Sequence, residues 1–305
     1  MTQSTSLAPI VVFAYARVDH LQRMIESLKA NPQAADCHLH VYCDGPRSPA
    51  AVDATQAVRA FVDGLQGFAS VTRTYRDSNF GLARSIVSGV TSVLERHDSV
   101  IVLEDDLLLS PHFLAYMNDA LAMYRDDTQV ASIHGYCYPV QEPVPETFFM
   151  KGADCWGWGT WARAWKHFEP DGRVLLRQLE QRRLCASFDL DRSYPFTRML
   201  RDQIRGRNDS WAIRWHASCY LQGMLTLYPG RSLVENLGMD NSGTHCAQTD
   251  VYAGPTLARP VRLERIALEE SDVGRRAFVR FFRASAESLV DKVKRRLFAW
   301  RKAPR

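Results

Sequence analysis

Short apolar runs alternate with amphipathic segments along the N-terminal third of the chain. The runs are rich in aliphatic and β-branched residues, as in the strands of a covered sheet, and they predict strands over residues 9–16, 38–43, 70–75 and 99–103. Apolar positions recur at helical spacing between them and predict helices over residues 17–30, 50–62 and 80–96. This alternation predicts a parallel, right-handed, doubly wound sheet.

The fourth predicted strand ends in three consecutive acids, Glu104, Asp105 and Asp106. Adjacent carboxylates at the end of a buried strand repel one another and lose hydration, so they destabilise the fold unless a positive group lies among them. A divalent cation would supply that charge, and oxygen ligands favour Mg²⁺ or Mn²⁺ over zinc. The alternative is a solvated acidic turn. Ser110 and Pro111 predict the N-cap and first residue of the next helix, which places the acids at the crevice where open α/β sheets bind ligands.

Composition argues against several classes of protein. The chain has 305 residues and 46% apolar content, enough for one large or two small α/β domains. Its seven cysteines include no C-x-x-C pair, which argues against a disulfide framework and a structural zinc site. No segment reaches the run of about eighteen apolar residues that a membrane span needs. Residues 1–6 contain no Lys or Arg, so we expect a cytoplasmic protein without a signal peptide.

The net charge of +4 conceals a basic tail. Residues 271–305 carry 11 Lys and Arg against 3 acids, a net charge of +8, which leaves −4 for the rest of the chain. The body is therefore not a nucleic-acid binder by charge. Apolar residues recur in the tail at helical intervals and predict basic amphipathic helices. Such helices either lie on the anionic inner face of a membrane as a peripheral contact or pack back on the domain with a solvated charged face.

Two features of the first half can hold a nucleotide. Asp44 ends the second predicted strand, where a carboxylate can accept hydrogen bonds from a base or ribose. Asn79, Gly81 and Arg84 open the third helix, where backbone amides and a guanidinium suit a phosphate. The alternatives are a turn-forming aspartate and a solvated helix charge. The chain has no G-x-G-x-x-G after the first strand and no Walker sequence, which argues against dinucleotide oxidoreductases and P-loop enzymes.

From residue 130 the pattern changes to short strand-like pieces around a tryptophan-rich block. Trp156, Gly157 and Trp158 lie in this block, where glycine lets the backbone approach a flat group and indoles can stack on sugar rings. The alternative is an aromatic cluster that closes the far side of the sheet. Asp209 precedes a tryptophan-bearing helix, where an N-cap is the default role. His245 lies in a glycine-punctuated loop, and its alternative is a surface histidine.

The order of these features resembles a GT-A glycosyltransferase, and most closely the N-acetylglucosaminyltransferase I group with its bacterial relatives in surface-polysaccharide synthesis. The E-D-D motif of that group, followed by a proline-led apolar helix, is similar to residues 104–113. Its G-x-G-W-like and W-D-D-W-like segments are similar to residues 156–161 and 208–211. The resemblance covers about residues 9–250. It implies a GT-A (Rossmann-like) α/β fold, with a doubly wound, mostly parallel sheet, a smaller C-terminal acceptor-side region and a helical tail.

The resemblance also implies roles for single residues. Asp106 would be a direct metal ligand and His245 a further metal or pyrophosphate ligand. Asp209 would be the catalytic base, although Asn208 and Ser210 depart from the base motif. The nucleotide-sugar side would consist of Ala14, Arg17, Asp44, Asn79, Gly81, Arg84, Glu104, Asp105, Trp156, Gly157 and Trp158.

These features together predict three parts of the chain and one reaction. Residues 1–129 form the nucleotide-sugar-binding half, residues 130–254 the acceptor-binding and catalytic half, and residues 255–305 the basic helical tail. The reaction is a Mn²⁺- or Mg²⁺-dependent, inverting transfer of a hexose or N-acetylhexosamine from a nucleotide-sugar, with UDP-sugars as first candidates. The acceptor is a hydroxyl of a glycan or a lipid-linked saccharide.

Two other functions stay open. A sugar-phosphate nucleotidyltransferase also uses acids and a metal on a doubly wound sheet, but it needs a glycine-rich basic loop after the first strand, and residues 14–17 do not form one. A non-catalytic carbohydrate-binding protein on the same fold would keep the tryptophans but could lose the acids, and all the acids are present.

Overall fold

One large sheet organises the protein in a computed structural model that describes residues 7–238, 251–254, 256 and 258–301, with side chains described as far as residue 286. The strands of the described residues are β1 (Ile10–Ala14), β2 (His38–Cys43), β3 (Ser70–Tyr75), β4 (Ser99–Glu104), β5 (Leu107–Leu109), β6 (Val130–His134), β7 (Thr147–Lys151), β8 (Trp158–Trp161), β9 (Leu225–Pro229) and β10 (Val234–Asn236). All four strands predicted for the first half are present, and β2 and β3 have the predicted bounds.

The large sheet is mixed but mostly parallel. Its strand order is β3-β2-β1-β4-β8-β6-β9-β7, while β5 and β10 form a separate antiparallel pair. Strands β3, β2, β1 and β4 are mutually parallel, and only β8 and β7 run against the other strands of this sheet. The predicted α/β fold class is therefore confirmed. Both predicted halves contribute strands to this one sheet, and their division into donor and acceptor sides stays a prediction.

Helices alternate with the first three strands. The α-helices of the described residues are α1 (Val18–Lys29), α2 (Val52–Asp63), α3 (Leu82–Leu94), α4 (Phe113–Met123), α5 (Ala162–Trp165), α6 (Gly172–Gln181), α7 (Cys185–Phe188), α8 (Phe196–Ile204), α9 (Trp211–Leu221) and α10 (Asp272–Arg301). The predicted helices correspond to α1, α2 and α3. Helices α1 and α3 are one or two residues shorter than predicted at each end, and α2 begins two residues later and ends one residue later than predicted.

The helices cover both faces of the sheet because successive side chains of a buried strand point to opposite faces. On one face, Val12 and Leu103 belong to a core with residues of α1, α2 and α4. On the other face, Val11 and Val102 belong to a core with residues of α3, α5 and α9. Helices α6, α7 and α8 form a smaller cluster against α9. The six cysteines that lie within the described residues are all free.

The segment after the acids differs from the prediction. Strand β5 follows Asp106 and pairs with β10, and this pairing continues at Ser110, whose backbone N–H donates to Leu233 O at 2.8 Å. Helix α4 begins only at Phe113, with His112 at the N-cap position, and the Ser110 hydroxyl accepts from His112 N at 3.3 Å. The predicted N-cap at Ser110 and first helical residue at Pro111 are therefore wrong by two positions, because the strand pairing holds Ser110 outside the helix.

The first half of α10 packs back on the sheet. Phe278 and Phe282 are buried, and their rings contact those of Phe148, Tyr228 and Tyr138. For residues 272–286 the structure thus shows the second predicted alternative, a helix packed on the domain. Within the described part of the chain, no helix has the length and apolar character needed to cross a membrane.

Candidate active site

The strand order reverses between β1 and β4. From β1 the chain builds outward through β2 to β3, and it then returns across the sheet to place β4 on the other side of β1. Ligands of open α/β sheets bind outside the carboxyl ends of the strands at such a reversal. Arg17 lies just beyond the end of β1, and Glu104, Asp105 and Asp106 lie at the end of β4. The sheet therefore brings one cation and three acids to the same crevice.

Arg17 forms ion pairs with two of the acids. Its Nη2 atom donates to Asp106 Oδ2 at 2.9 Å and also to the carboxylate of Asp105. The backbone N–H of Tyr15 donates to Asp105 as well, at 3.4 Å. Asp105 is only 3% exposed, so the guanidinium supplies charge compensation where water cannot. The positive charge predicted for this cluster comes partly from the chain itself.

Two of the carboxyl groups, Glu104 and Asp105, have raised pKa values. Burial raises the pKa of Glu104 to about 8, and the charges of Asp106 and Asp105 add to this effect more than Arg17 opposes it. Burial raises the pKa of Asp105 to about 6, although Arg17 acts in the opposite direction. Burial also lowers the pKa of Arg17, but the two aspartates outweigh it and hold that pKa above its usual value. One guanidinium therefore does not neutralise this cluster.

The cluster offers the donor atoms that a hard divalent cation prefers, but the described residues do not arrange them as a metal site. Carboxylate oxygens are the ligands that Mg²⁺ and Mn²⁺ prefer, and the Glu104 carboxylate accepts no hydrogen bond within the described residues. Gly238 packs so closely on Asp106 that a side chain at 238 would clash with its carboxylate. In the described part of the chain, no three His, Cys, Asp or Glu side chains are arranged to hold a metal ion. His245 lies outside the described residues, and Asp106 as a metal ligand stays a prediction.

Asp44 holds the loop that opens α3. Its buried carboxylate accepts hydrogen bonds from the backbone N–H groups of Phe80 at 2.7 Å and Gly81 at 2.9 Å. It also accepts from the Asn79 side chain at 3.1 Å and from Gly45 N at 2.9 Å. Four donors on one carboxylate fix the loop against the end of β2. The predicted contact of Asp44 with a base or ribose is untested, and its structural role is to position this loop.

The predicted nucleotide residues lie together around this loop. The carbonyl of Ala14 accepts from Asp44 N at 3.0 Å, which joins the ends of β1 and β2. Gly81 directly precedes α3 with φ at +75°, a conformation that favours glycine. Arg84 is exposed, and its guanidinium carbon lies 3.7 Å from the ring centroid of Phe80. These positions suit a phosphate at the start of α3, and the phosphate contact stays a prediction.

Trp158 does not face a ligand site. It is fully buried, and its ring stacks on Trp211 with the centroids 5.3 Å apart. It pairs with Val102 of β4 in the middle of the sheet, and its indole lies in the core shared with α3 and α9. The prediction that Trp158 binds the sugar is therefore wrong, and the alternative of an aromatic cluster applies to it. Trp165 and Trp215 complete that cluster.

Trp156 and Gly157 differ from Trp158. Trp156 is half-buried, and its ring contacts Tyr136 at 4.7 Å and Tyr252 at 5.8 Å between centroids. Gly157 has φ at +63°, and its carbonyl accepts from Gly135 N at 2.7 Å. The turn therefore requires glycine on backbone grounds, and it directs Trp156 away from the core that Trp158 enters.

Asp209 is an exposed carboxylate before α9. Its side chain is 67% exposed and forms an ion pair with Arg214 at 3.5 Å. The N-cap of α9 is Ser210, whose hydroxyl accepts from Ile213 N at 3.2 Å, so the capping alternative for Asp209 is wrong. Trp211 stacks on Trp158, which pairs near the carboxyl end of β4, so α9 begins toward the edge of the sheet that carries the acids. The role of Asp209 as a base stays a prediction.

Asp154 was not among the residues predicted from the sequence. Its carboxylate accepts hydrogen bonds from Tyr138 Oη at 2.8 Å, Tyr228 Oη at 3.5 Å and Cys155 N at 2.9 Å. Burial raises the pKa of the Cys155 thiol, and the charges of Asp154, Glu104 and Asp106 raise it further, so the thiol lies within electrostatic range of both Asp154 and the acids of β4. A single aspartate before a tryptophan block carries no local pattern, and only the fold reveals its tyrosine partners.

Comparisons by sequence find no match, whereas comparison by structure does. No protein-family model matches the chain, and no curated protein sequence matches it. A mannosyltransferase from Pyrobaculum calidifontis, solved in complex with GDP-Man and Mn²⁺, is 18% identical over 47% of this chain and 40% of its own, with a TM-score of 0.31. A cytidylyltransferase from Leptospira borgpetersenii is 14% identical over 53% of this chain and 63% of its own, with a TM-score of 0.34.

Both likenesses are weak. The chain covers less than two thirds of each of these two structures, and likenesses at such scores carry no information about function. Neither structure supports the resemblance to the N-acetylglucosaminyltransferase I group.

Proposed function

We propose that the chain is a glycosyltransferase that binds a nucleotide-sugar in the crevice between β1 and β4. The observation that carries the proposal is the pairing of Arg17 with Asp105 and Asp106 at the reversal of strand order. A nucleoside diphosphate with its divalent cation presents both signs of charge, and this crevice offers a guanidinium for phosphate oxygens and carboxylates for the cation.

The loop that Asp44 holds would contact the nucleoside and the phosphates of the donor. The N–H groups at the start of α3 favour an anion, and Arg84 adds a positive charge one turn into the helix. Four hydrogen bonds already fix the loop, so ligand binding would cost little conformational entropy there. The proposed donor contacts are Ala14, Arg17, Asp44, Asn79, Gly81, Arg84, Glu104, Asp105, Trp156 and Gly157.

Asp106 would hold the divalent cation, Mn²⁺ or Mg²⁺, with His245 as a further proposed ligand. When bound there, such a cation offsets the charge of the departing nucleoside diphosphate. Arg17 opposes the rise that burial causes in the pKa of Asp105, and it fixes the orientation of Asp106 through the hydrogen bond at 2.9 Å.

The acceptor side would use carboxylates from the second half of the chain. Asp209 is the proposed general base, which takes the proton from the acceptor hydroxyl as its oxygen attacks the anomeric carbon. Displacement from the face opposite the diphosphate inverts the anomeric configuration. Asp154, held by Tyr138, can accept hydrogen bonds from other acceptor hydroxyls, and the half-buried ring of Trp156 can contact a sugar face.

A screen of donor hydrolysis tests this proposal. UDP-, GDP- and dTDP-sugars are incubated with the full chain and Mn²⁺, and the products are identified by mass spectrometry. We expect slow release of free sugar together with nucleoside diphosphate from one of the donors. Formation of a nucleotide-sugar and pyrophosphate from a nucleoside triphosphate and a sugar phosphate would instead identify a nucleotidyltransferase. Absence of turnover with every donor, despite binding of free saccharides, would identify a carbohydrate-binding protein.

A further inference from the structure

A second polar cavity lies on the β2–β3 side of α3. It has a volume of about 340 Å³, and its walls include His40 from β2, Ser88 and Ser92 from α3, and Arg76, Arg96 and His97 from the adjoining loops. We call it the α3 trough. Its floor is the face of β2 and β3 that α3 leaves uncovered, whereas the crevice described above lies at the carboxyl ends of β1 and β4. A volume of this size suits a small molecule.

The charge of the α3 trough has one sign. None of the described residues that line it is acidic, while two guanidiniums and two imidazoles are present. The rings of His40 and His97 lie 6.1 Å apart between centroids. Outside the lining, His38 lowers the pKa of both imidazoles and Asp98 raises that of His97. The ring of His38 is hydrogen-bonded to Ser70 Oγ at 2.8 Å. Two guanidiniums without an acid in the lining attract an anion, and the two imidazoles can donate hydrogen bonds to it.

The guanidinium of Arg76 has few hydrogen-bond partners among the described residues. Its Nη2 atom donates to Ser88 Oγ at 3.4 Å, a long and weak contact, and its guanidinium carbon lies 5.4 Å from the ring centroid of Tyr42. Its Nε atom is buried, and no hydrogen-bond partner for it exists among the described residues. A buried donor without an acceptor is unfavourable, so the guanidinium has an unmet hydrogen bond that favours an oxyanion as its neighbour.

The positive charges around the trough affect the pKa values of both histidines. Burial lowers the pKa of His40, and the positive groups His97, Arg96 and His38 lower it further. Burial, His38 and Arg96 lower the pKa of His97, while Asp98 opposes them. A bound anion would counter the repulsion and raise both pKa values, so the imidazoles provide a direct readout of occupancy.

We propose that the α3 trough binds a phosphate-bearing small molecule through Arg76, Arg96, His40 and His97, with Ser88 and Ser92 as further donors to phosphate oxygens. The phosphate group is the recognised chemistry. It can arrive as inorganic phosphate or as the phosphate of a sugar phosphate, and the cavity has room for the latter. This site does not depend on the function proposed for the crevice.

Histidine NMR of the full chain tests the proposal. The imidazole C–H signals of His40 and His97 are assigned with His40→Gln and His97→Gln, and their pKa values are measured with inorganic phosphate, with a hexose 1-phosphate, and with NaCl at the same ionic strength. We expect either phosphate ligand, but not NaCl, to raise both pKa values. Saturation by inorganic phosphate alone or by the hexose phosphate alone supports the site and identifies the source of the phosphate.

Variants separate a built site from general surface charge. Arg96→Gln should weaken phosphate binding about tenfold, because it removes one charge-assisted contact. The matched control is Arg23→Gln, an exposed arginine on α1 at the other face of the sheet, which should leave binding unchanged. Equal weakening by both variants, or pKa values that respond to phosphate no more than to NaCl, would overturn the proposal. His97→Gln provides a second loss-of-binding variant should Arg96→Gln fold poorly.

Discussion

The guanidinium of Arg17 joins the end of β1 to the end of β4, with Nη2 only 2.9 Å from Asp106 Oδ2 and a second hydrogen bond to Asp105. Asp105 has almost no contact with solvent, and the ion pair offsets part of the cost of burying its charge. The same contact fixes the two acids at the position where a ligand would bind. Stability and site geometry therefore depend on one side chain.

Arg17→Gln should lower the free energy of unfolding by about 3 kcal/mol, because it leaves a buried carboxylate without its cation. Arg17→Gln/Asp105→Asn should recover most of this loss, since the second change removes the uncompensated charge. Urea unfolding of both variants measures the difference. Arg23→Gln, on the exposed face of α1, should stay within about 0.5 kcal/mol of the wild type. If the single and the double variant lose the same free energy of unfolding, the ion pair does not compensate the charge of Asp105.

Asp44→Asn should lower the free energy of unfolding by about 2 kcal/mol. An amide cannot accept from both Phe80 N and Gly81 N through two oxygens, so one buried donor loses its partner. Asp77→Asn is the matched control, because Asp77 is an exposed acid just before the same loop. Thermal unfolding measures both variants. Equal stability of Asp44→Asn and the wild type would contradict the role of Asp44 in holding the loop.

The carboxylates Asp209 and Asp154 should have separable effects on the proposed reaction. Asp209→Asn should reduce turnover by about 10² to 10⁴, as expected for loss of a general base, with normal stability because Ser210 carries the helix cap. Asp154→Asn should mainly raise the KM for the acceptor. Steady-state kinetics with the donor found in the screen distinguishes the two. A fully active Asp209→Asn enzyme would remove Asp209 from the mechanism.

Truncation separates the two functions considered for the tail. Ending the chain after Glu270 removes Phe278 and Phe282, each of which should contribute about 3 kcal/mol by filling the core against Phe148 and Tyr228. Ending it after Ala286 keeps both and removes residues 287–305, which carry seven Lys and Arg against two acids. We expect the longer form to fold and the shorter one to be severely destabilised.

The longer form also tests membrane contact. Each basic residue near an anionic surface contributes about 1 kcal/mol, so the full chain should sediment with anionic liposomes at low salt and the chain ending at Ala286 should not. Identical sedimentation of the two forms would exclude residues 287–305 as the membrane contact.

Local patterns in the sequence are sufficient to predict the strands in the first half of the sheet. Strands β2 and β3 have their predicted bounds because a short apolar or β-branched run between turn residues allows few other structures, and Asp44-Gly45 stops β2 where the run ends. The acids of β4 were located in the same way. These predictions needed no knowledge of which segments meet in space.

Contacts between distant segments were not predictable in this way. The indole of Trp158 is buried because β8 inserts next to β4, and no local pattern distinguishes it from the half-buried Trp156 two positions earlier. Because β5 pairs with β10, helix α4 begins two residues later than predicted. Arg17 was predicted to contact the nucleotide, but its ion pairs with Asp105 and Asp106 form only when β1 and β4 are neighbours.

Calorimetric titration of nucleotide-sugars with and without Mn²⁺ tests the central claim most directly. The wild type should bind one of the UDP-, GDP- or dTDP-sugars more tightly when Mn²⁺ is present. Asp106→Asn should lose that gain while its thermal unfolding stays close to that of the wild type, because Asp106 Oδ2 can be replaced by an amide oxygen toward Arg17. Donor affinity that is the same with and without Mn²⁺ in the wild type, or a Mn²⁺-dependent gain that survives in Asp106→Asn, would contradict a metal-assisted nucleotide-sugar site at the crevice between β1 and β4.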